Sequence, residues 1–292
     1  MREHSYHIGK MTQRKGLPTL FFIGILLIFS GCFAKKTGRF HETSSTAINN
    51  IAVNDSVADD SLTTVLIKPY RSAMETQMSE YIATIDSPFS NAFFVGNLGR
   101  LAADYMLLSA NTISIKEFGV PCHFAISNNG GFRTGFYPGP VTMQQLFEVM
   151  PFENELVLVQ LPGIYVDSLF QYIAQLQGTP ASGFLMSYSK GATRKENHYR
   201  SVKLNAQPCN SIQDLLKPQY TQPLDTRRDY LIAVNSYMVV GGDGFTMLKH
   251  AKKIHYTGIN LRTVLAQQLK AEYEANKFID PRKQIRIYHE PQ

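Results

Sequence analysis

The sequence predicts a single α+β domain, a mixed sheet packed by helices, following an export leader and a polar tether. Three observations predict it. Apolar runs of helix and strand length mix along the chain without strict βαβ alternation, which argues against a doubly wound sheet. No segment repeats. A hydrophobic content of 44% is ordinary for a soluble globular unit, and the roughly 230 residues after the tether suffice for one sizeable core.

The first 15 residues carry Arg2, Lys10, Arg14 and Lys15 against one acid, Glu3, and Leu17 to Ser30 is almost wholly apolar. That run is shorter than the roughly 20 residues a bilayer span needs, and Lys35-Lys36 closes it, so residues 1–31 read as a signal peptide. Ser30-Gly31 before Cys32 resembles a bacterial lipobox, in which the cysteine is lipidated and becomes the mature N-terminus. Cleavage nearby with Cys32 discarded is the alternative. On either route the mature chain works outside the cytoplasm, and lipidation would place it at a membrane of the bacterial cell envelope. Residues 32–56 are rich in Ser, Thr, Asn and Asp, cannot bury enough surface to offset their ordering entropy, and read as a tether; the domain takes in residues 57–292.

Within the domain, Leu62 to Ile85 reads as one long helix, with Val65, Leu66, Met74, Met78 and Ile82 on one face. A second helix follows Asn97-Leu98-Gly99-Arg100 through Leu101–Leu108. Cys122–Ile126 is a short strand delivering Ser127-Asn128-Asn129-Gly130-Gly131-Phe132-Arg133, Pro138-Gly139-Pro140 is a turn, and Thr142 caps a short helix that ends before Pro151. Glu155–Leu161 is a strand, Gly163 breaks it, and Ile164–Leu176 is a helix. Tyr230–Val234 is a strand running towards Gly241-Gly242-Asp243-Gly244-Phe245; Leu261–Ala275 is the last helix and Ile285–Ile287 the last strand.

The two glycine loops share a logic. Adjacent glycines let the backbone take positive φ and approach a ligand, with Arg133 supplying a fork of donors after one and Asp243 an acceptor within the other. Either loop taken alone reads first as a hairpin turn that uses glycine for geometry. The remaining chemistry is mostly excluded. Three of the six net positive charges sit in the first 15 residues, and no Lys/Arg stripe interleaves with aromatics, so nucleic acid is not an expected partner. The eight histidines show no metal-ligand spacing, and there is no His-Glu-x-x-His, Gly-x-Ser-x-Gly or Walker loop. Neither a catalytic residue nor a metal ligand is therefore expected on this chain. Cys122 and Cys209 either pair in an oxidising compartment or remain buried thiols; the sequence leaves both open.

Taken together, Asn97-Leu98-Gly99-Arg100-Leu101-Ala102-Ala103-Asp104, the loop Ser127–Arg133, Pro140-Val141-Thr142, Val149-Met150-Pro151-Phe152-Glu153-Asn154, Pro223-Leu224-Asp225 with Tyr230, and Asn235 to Phe245 resemble, in order and spacing, the C-terminal domain of the 5'-nucleotidase and UDP-sugar hydrolase family. The resemblance implies roles. Arg133 would grip phosphate, Asn128 would touch the base, Phe152 and Tyr237 would form an aromatic clamp, and Asp243 would accept from ribose hydroxyls. Gly130, Gly131, Gly241 and Gly242 would let the backbone close around the ligand. Family enzymes carry a preceding metallophosphoesterase domain with two metal ions, and neither Asp-x-His nor Gly-Asn-His-Asp/Glu occurs here. The family's second phosphate-binding Arg has no counterpart in Phe89–Phe94, and no Arg lies between Arg71 and Arg100. The expectation is thus a nucleotide-binding component of a 5'-nucleotidase-type phosphohydrolase, with divalent metals on a separate metallophosphoesterase chain. The alternative is a stand-alone nucleoside- or nucleotide-binding lipoprotein without hydrolase activity.

Overall fold

The computed structural model describes residues 54, 57–92 and 96–291; the leader, Cys32 and most of the tether lie outside these residues. The fold is α+β. Its spine is a five-stranded sheet, in the order β10 (Lys253–Asn260), β4 (Glu155–Pro162), β9 (Asp229–Asn235), β2 (Phe124–Ile126), β5 (Ala181–Ser182). β4 runs antiparallel to both neighbours, whereas β2 and β9 are parallel, with Phe124 opposite Ile232. A four-stranded sheet, β11 (Ile287–His289), β6 (Phe184–Ser189), β7 (His198–Asn205), β8 (Tyr220–Pro223), and a two-stranded ribbon of β1 (Tyr81–Ile85) with β3 (Gly139–Thr142) complete it.

The central sheet is covered on both faces, which is why its strands read as continuous apolar runs. Leu156 and Leu158 of β4 enter one core with α2 (Asn97–Phe118) and α7 (Leu261–Asn276). The alternate residues Val157, Val159 and Leu161 enter the other, with α4 (Gly163–Leu176) and the inner faces of β6 and β7. α2 buries side chains around most of its circumference, as a central helix must. Its Asp104 accepts hydrogen bonds from Arg286, Arg282 and Ser182, and Arg282 also pairs with Glu272 of α7, which fastens the C-terminal segment to the core.

Four expectations are corrected. Leu62–Ile85 is not one helix: α1 (Ser61–Met78) ends at Ser79, and Ile82 and Ile85 are buried in β1. The apolar period carried across the join because Ile82 falls on the helical stripe as well as on the inward face of the strand. Pro138–Pro140 is not a turn throughout; Gly139 and Pro140 begin β3, Pro140 facing Thr84 of the ribbon. Cys122 and His123 precede β2, which starts at Phe124. The last strand starts at Ile287, with the Arg286 carbonyl already accepting from the Met186 N–H of β6 at 2.8 Å and the Arg286 side chain paired with Asp104. The sheet of β6 to β8 was not foreseen at all, although Val202 and Leu204 of β7 are buried beside exposed Lys203 in a plain two-residue alternation. Cys122 and Cys209 are buried free thiols.

Candidate functional site

The parallel pairing of β2 with β9 decides where the glycine loops go. Both strands end at the same edge of the sheet, so Ser127–Arg133 and Ser236–Phe245 leave side by side, and antiparallel β4 enters from that edge through Phe152-Glu153-Asn154. Three loops distant in sequence thus converge on a cavity of about 290 Å³ lined by Asn128, Gly130, Gly131, Arg133, Phe152, Asn154, Tyr237 and Asp243. Its volume is at the lower end of the roughly 300–1,000 Å³ usual for small-molecule sites.

A polar lattice holds the loops together. Asn235, the last residue of β9, donates from Nδ2 to Asn128 Oδ1 at 2.8 Å and Ser127 Oγ at 3.1 Å, while its Oδ1 caps α6 (Ser236–Val239) through the Met238 N–H at 2.9 Å. Asn128 then donates to Asp243 Oδ2 at 2.7 Å, and the Tyr237 hydroxyl donates to Asp243 Oδ1 at 3.0 Å. Thr179 donates to the Ser127 carbonyl and fixes the start of the first loop. Asp243 itself sits at φ 49°, a left-handed conformation uncommon for a non-glycine residue, and the Tyr172 hydroxyl secures its carbonyl at 2.7 Å. Burial, and next the Asp243 charge, hold the Tyr172 phenol above its ordinary value, so it remains a donor. Each Asp243 oxygen has one protein donor and keeps lone-pair capacity on the cavity side.

Arg133 is exposed, and its guanidinium lies 4.9 Å over the Phe152 ring. The Arg133 N–H bonds the Val149 carbonyl at 2.9 Å, tying the first loop to the end of α3 (Met143–Val149). Phe152 and Tyr237 are 39% and 43% exposed, too open for core aromatics and placed on the cavity wall. Gly241 and Gly242 do not line the cavity. Gly242 packs beneath Tyr237, where a Cβ would stand 2.5 Å from the ring, and Gly241 takes φ 91° to start the turn. Asn128 is placed differently from a side chain reserved for a ligand: both its amide atoms are engaged within the protein, leaving one Nδ2–H to spare.

Sequence reasoning missed Asn154, Asn235 and Tyr172. Asn154 and Asn235 stand within two residues of Phe152 and Tyr237; nothing local marks Tyr172, which arrives from α4. A larger cavity of about 660 Å³ lies on the other side of the first loop, lined by Asn129 and Phe132 together with Arg100 and Arg286, and takes in none of the predicted site residues. Among the described residues no group of three or more His, Cys, Asp or Glu side chains is placed to hold a metal ion.

Known proteins share the sequence and the fold of this domain. The sequence profile of the family described as 5'-nucleotidase, C-terminal domain, matches residues 81–250. The chain is 27% identical over 201 residues to an apyrase of Tabanus yao, covering 65% of this chain and 34% of that one. It is 30% identical over 158 residues to a probable 5'-nucleotidase of Treponema pallidum (strain Nichols), covering 51% of this chain and 24% of the relative. Among solved structures, a 5'-nucleotidase precursor from Thermus thermophilus superposes with a TM-score of 0.61 at 25% identity, over 79% of this chain and 44% of that one. The chain therefore spans less than half the length of these proteins.

Proposed function

This chain belongs to the 5'-nucleotidase C-terminal domain family, and on that footing we propose that it is the nucleotide-binding component of a 5'-nucleotidase-type phosphohydrolase whose metal-bearing catalytic part is a separate chain. One observation carries the proposal: Arg133, Phe152, Tyr237 and Asp243 line one cavity with chemistry matched in turn to phosphate, base and ribose. A base between the two rings gains on the order of 1–3 kcal/mol per stacking contact with little demand on its identity. The ribose hydroxyls donate to Asp243, whose oxygens are held in place by Asn128 and Tyr237. Arg133 leaves the Phe152 face when ligand enters. An exposed cation–π contact contributes only about 0.5–1 kcal/mol, less than a bidentate, charge-assisted bond to phosphate. Hydrolysis is assigned to divalent metals on the separate chain, and anchorage through lipidated Cys32 belongs to the same proposal.

The test mixes this protein with a stand-alone metallophosphoesterase from the same organism, with divalent metal present, and assays nucleotide hydrolysis. The expected result is a rate well above either protein alone; no gain at high concentration of both would sink the proposal. A second reading, capture of nucleosides or nucleotides without hydrolysis, is favoured by Arg133 being the one cation among the lining residues. Calorimetry separates the two. Preference for AMP over adenosine that Arg133→Ala abolishes supports the first, and equal affinities untouched by that change support the second.

A further inference from the structure

Behind the first glycine loop, the cavity of about 660 Å³ falls well inside the volume range usual for small-molecule sites. The loop is its boundary with the nucleotide pocket: Asn129 and Phe132 line this cavity, whereas Asn128, Gly130, Gly131 and Arg133 line the other. Arg100, Lys283 and Arg286 stand on its wall, and among the described lining residues there is no Asp or Glu. Pro88, Pro180, Ile285 and Ile287 give the same wall an apolar part.

Two of the cations are built into the fold. Arg286 is 4% exposed, and its terminal nitrogens are spent on Asp104 and the Ala181 carbonyl. Its Nε is the one buried side-chain nitrogen or oxygen among the described residues that has no hydrogen-bond partner. A buried donor without an acceptor is costly, and this one belongs to a residue of the cavity wall. Arg100 reaches the wall from the first turn of α2, its Nε donating to the Arg282 carbonyl at 2.7 Å. Burial, and next the charge of Arg286, keep the Arg100 guanidinium below its ordinary value, with Asp104 acting the other way. Asp104 and Glu272 are already matched by Arg286 and Arg282 in buried ion pairs, so Arg100 and Lys283 add positive charge that these two acids do not cancel. Gly96, Asn97 and Gly99 also line the cavity, which puts the positive end of the α2 dipole on the same wall.

We propose that this cavity is a second ligand site, for a small molecule that carries an oxyanion head, carboxylate or phosphate, on a short apolar body. The head sits among Arg100, Lys283 and Arg286, where charge-assisted hydrogen bonds are stronger than neutral ones, and the body rests on the prolines and isoleucines. The assignment stands apart from the nucleotide proposal, since none of the residues that carry it lines the nucleotide pocket.

The experiment titrates butyl phosphate, butyrate and inorganic phosphate into the full chain by calorimetry, at an ionic strength fixed with sodium chloride. Arg133→Ala removes the cation of the nucleotide pocket; Arg100→Gln and Lys283→Glu alter the second cavity. The expected result is binding of butyl phosphate or butyrate that Arg133→Ala leaves unchanged and that each of the other two substitutions weakens at least fivefold. Whichever of the two binds more tightly identifies the head. Lys283 is exposed, so Lys283→Glu should melt with the parent, and it decides the matter alone should Arg100→Gln fail to fold. No binding of any probe at millimolar concentration overturns the inference. So does binding that Arg133→Ala abolishes, or that Lys283→Glu leaves intact. Inorganic phosphate binding as tightly as butyl phosphate overturns the part given to the apolar wall.

Discussion

Asn128 donates to Asp243 at 2.7 Å across 115 positions of sequence, and this bond joins the two glycine loops into one wall. The same carboxylate takes the Tyr237 hydroxyl, so a donor at position 128 orients both the acceptor and the ring beside it. Asn128→Asp replaces that donor with a second carboxylate facing Asp243. Like charges at this distance raise one carboxyl's pKa, and the proton they share becomes stabilising only as the pH falls. The variant is expected to unfold at lower urea than the parent at pH 7.5 and to recover much of the deficit by about pH 5. Its adenosine affinity at pH 7.5 should fall roughly tenfold, about the 1–3 kcal/mol of an orphaned polar group. Urea titrations at the two pH values, with calorimetry at the higher, check this.

Phe152→Ala and Tyr237→Phe separate stacking from positioning. Removing the Phe152 ring should weaken adenosine binding about 5- to 150-fold, one stacking contact. It should change stability by roughly 0.5 kcal/mol or less, because the ring is on the surface. Tyr237→Phe keeps the ring and loses its two bonds with Asp243, the one donated to Oδ1 and the one accepted from the Asp243 N–H, so adenosine should suffer more than a ligand that lacks the ribose. Calorimetry with adenosine and with adenine reads the difference.

Arg262 governs Phe152 from the N-terminus of α7. Its guanidinium lies 3.7 Å over Phe147, donates to the Met150 carbonyl at 2.7 Å and pairs with Glu153, so it holds the chain on both sides of Phe152. Leu261 N–H adds a bond to the Asn154 carbonyl at 2.8 Å. Arg262→Ala is expected to reduce adenosine affinity in the parent protein and to cost nothing further in a Phe152→Ala background. Equal losses in both backgrounds would show that Arg262 acts elsewhere.

Burial pushes the Cys122 thiol from 9.0 up to about 12. A thiol whose folded pKa is raised lends stability that is complete below pH 9 and drains away as the pH climbs towards 12. Stability should therefore fall on the alkaline side, and a Cys122→Ala variant should show a shallower decline between about pH 9 and 11. Native protein at pH 8 should also resist thiol-modifying reagents at Cys122 until it is denatured.

Much of the architecture was legible because local rules and burial agreed. Glu155–Leu161 followed by Gly163 and an apolar helix reads as strand, break and helix, and β4 and α4 have those bounds within a residue or two. Thr142 with Gln145 forms the capping box that starts α3. Where two periods fit one stretch, sequence alone could not choose: Ile82 continues the helical stripe of α1, yet pairing with β3 turns it inward in a strand. β7 is not legible in the sequence because its alternation is half polar, with Arg200 and Lys203 diluting the apolar signal of Val202 and Leu204.

The chain's own residues determined the chemistry available to a pocket: two aromatic rings, a guanidinium, a carboxylate and the glycines that free their loops. They also determined that the domain is α+β. Tertiary structure alone decided that these groups share a cavity, because the parallel pairing of β2 with β9 aims both loops from one sheet edge, and pairing is a contact between segments about 108 residues apart. It alone decided, too, that the apolar face of α1 stays uncovered among the described residues, since amphipathicity fixes which side of a helix seeks burial but not what buries it.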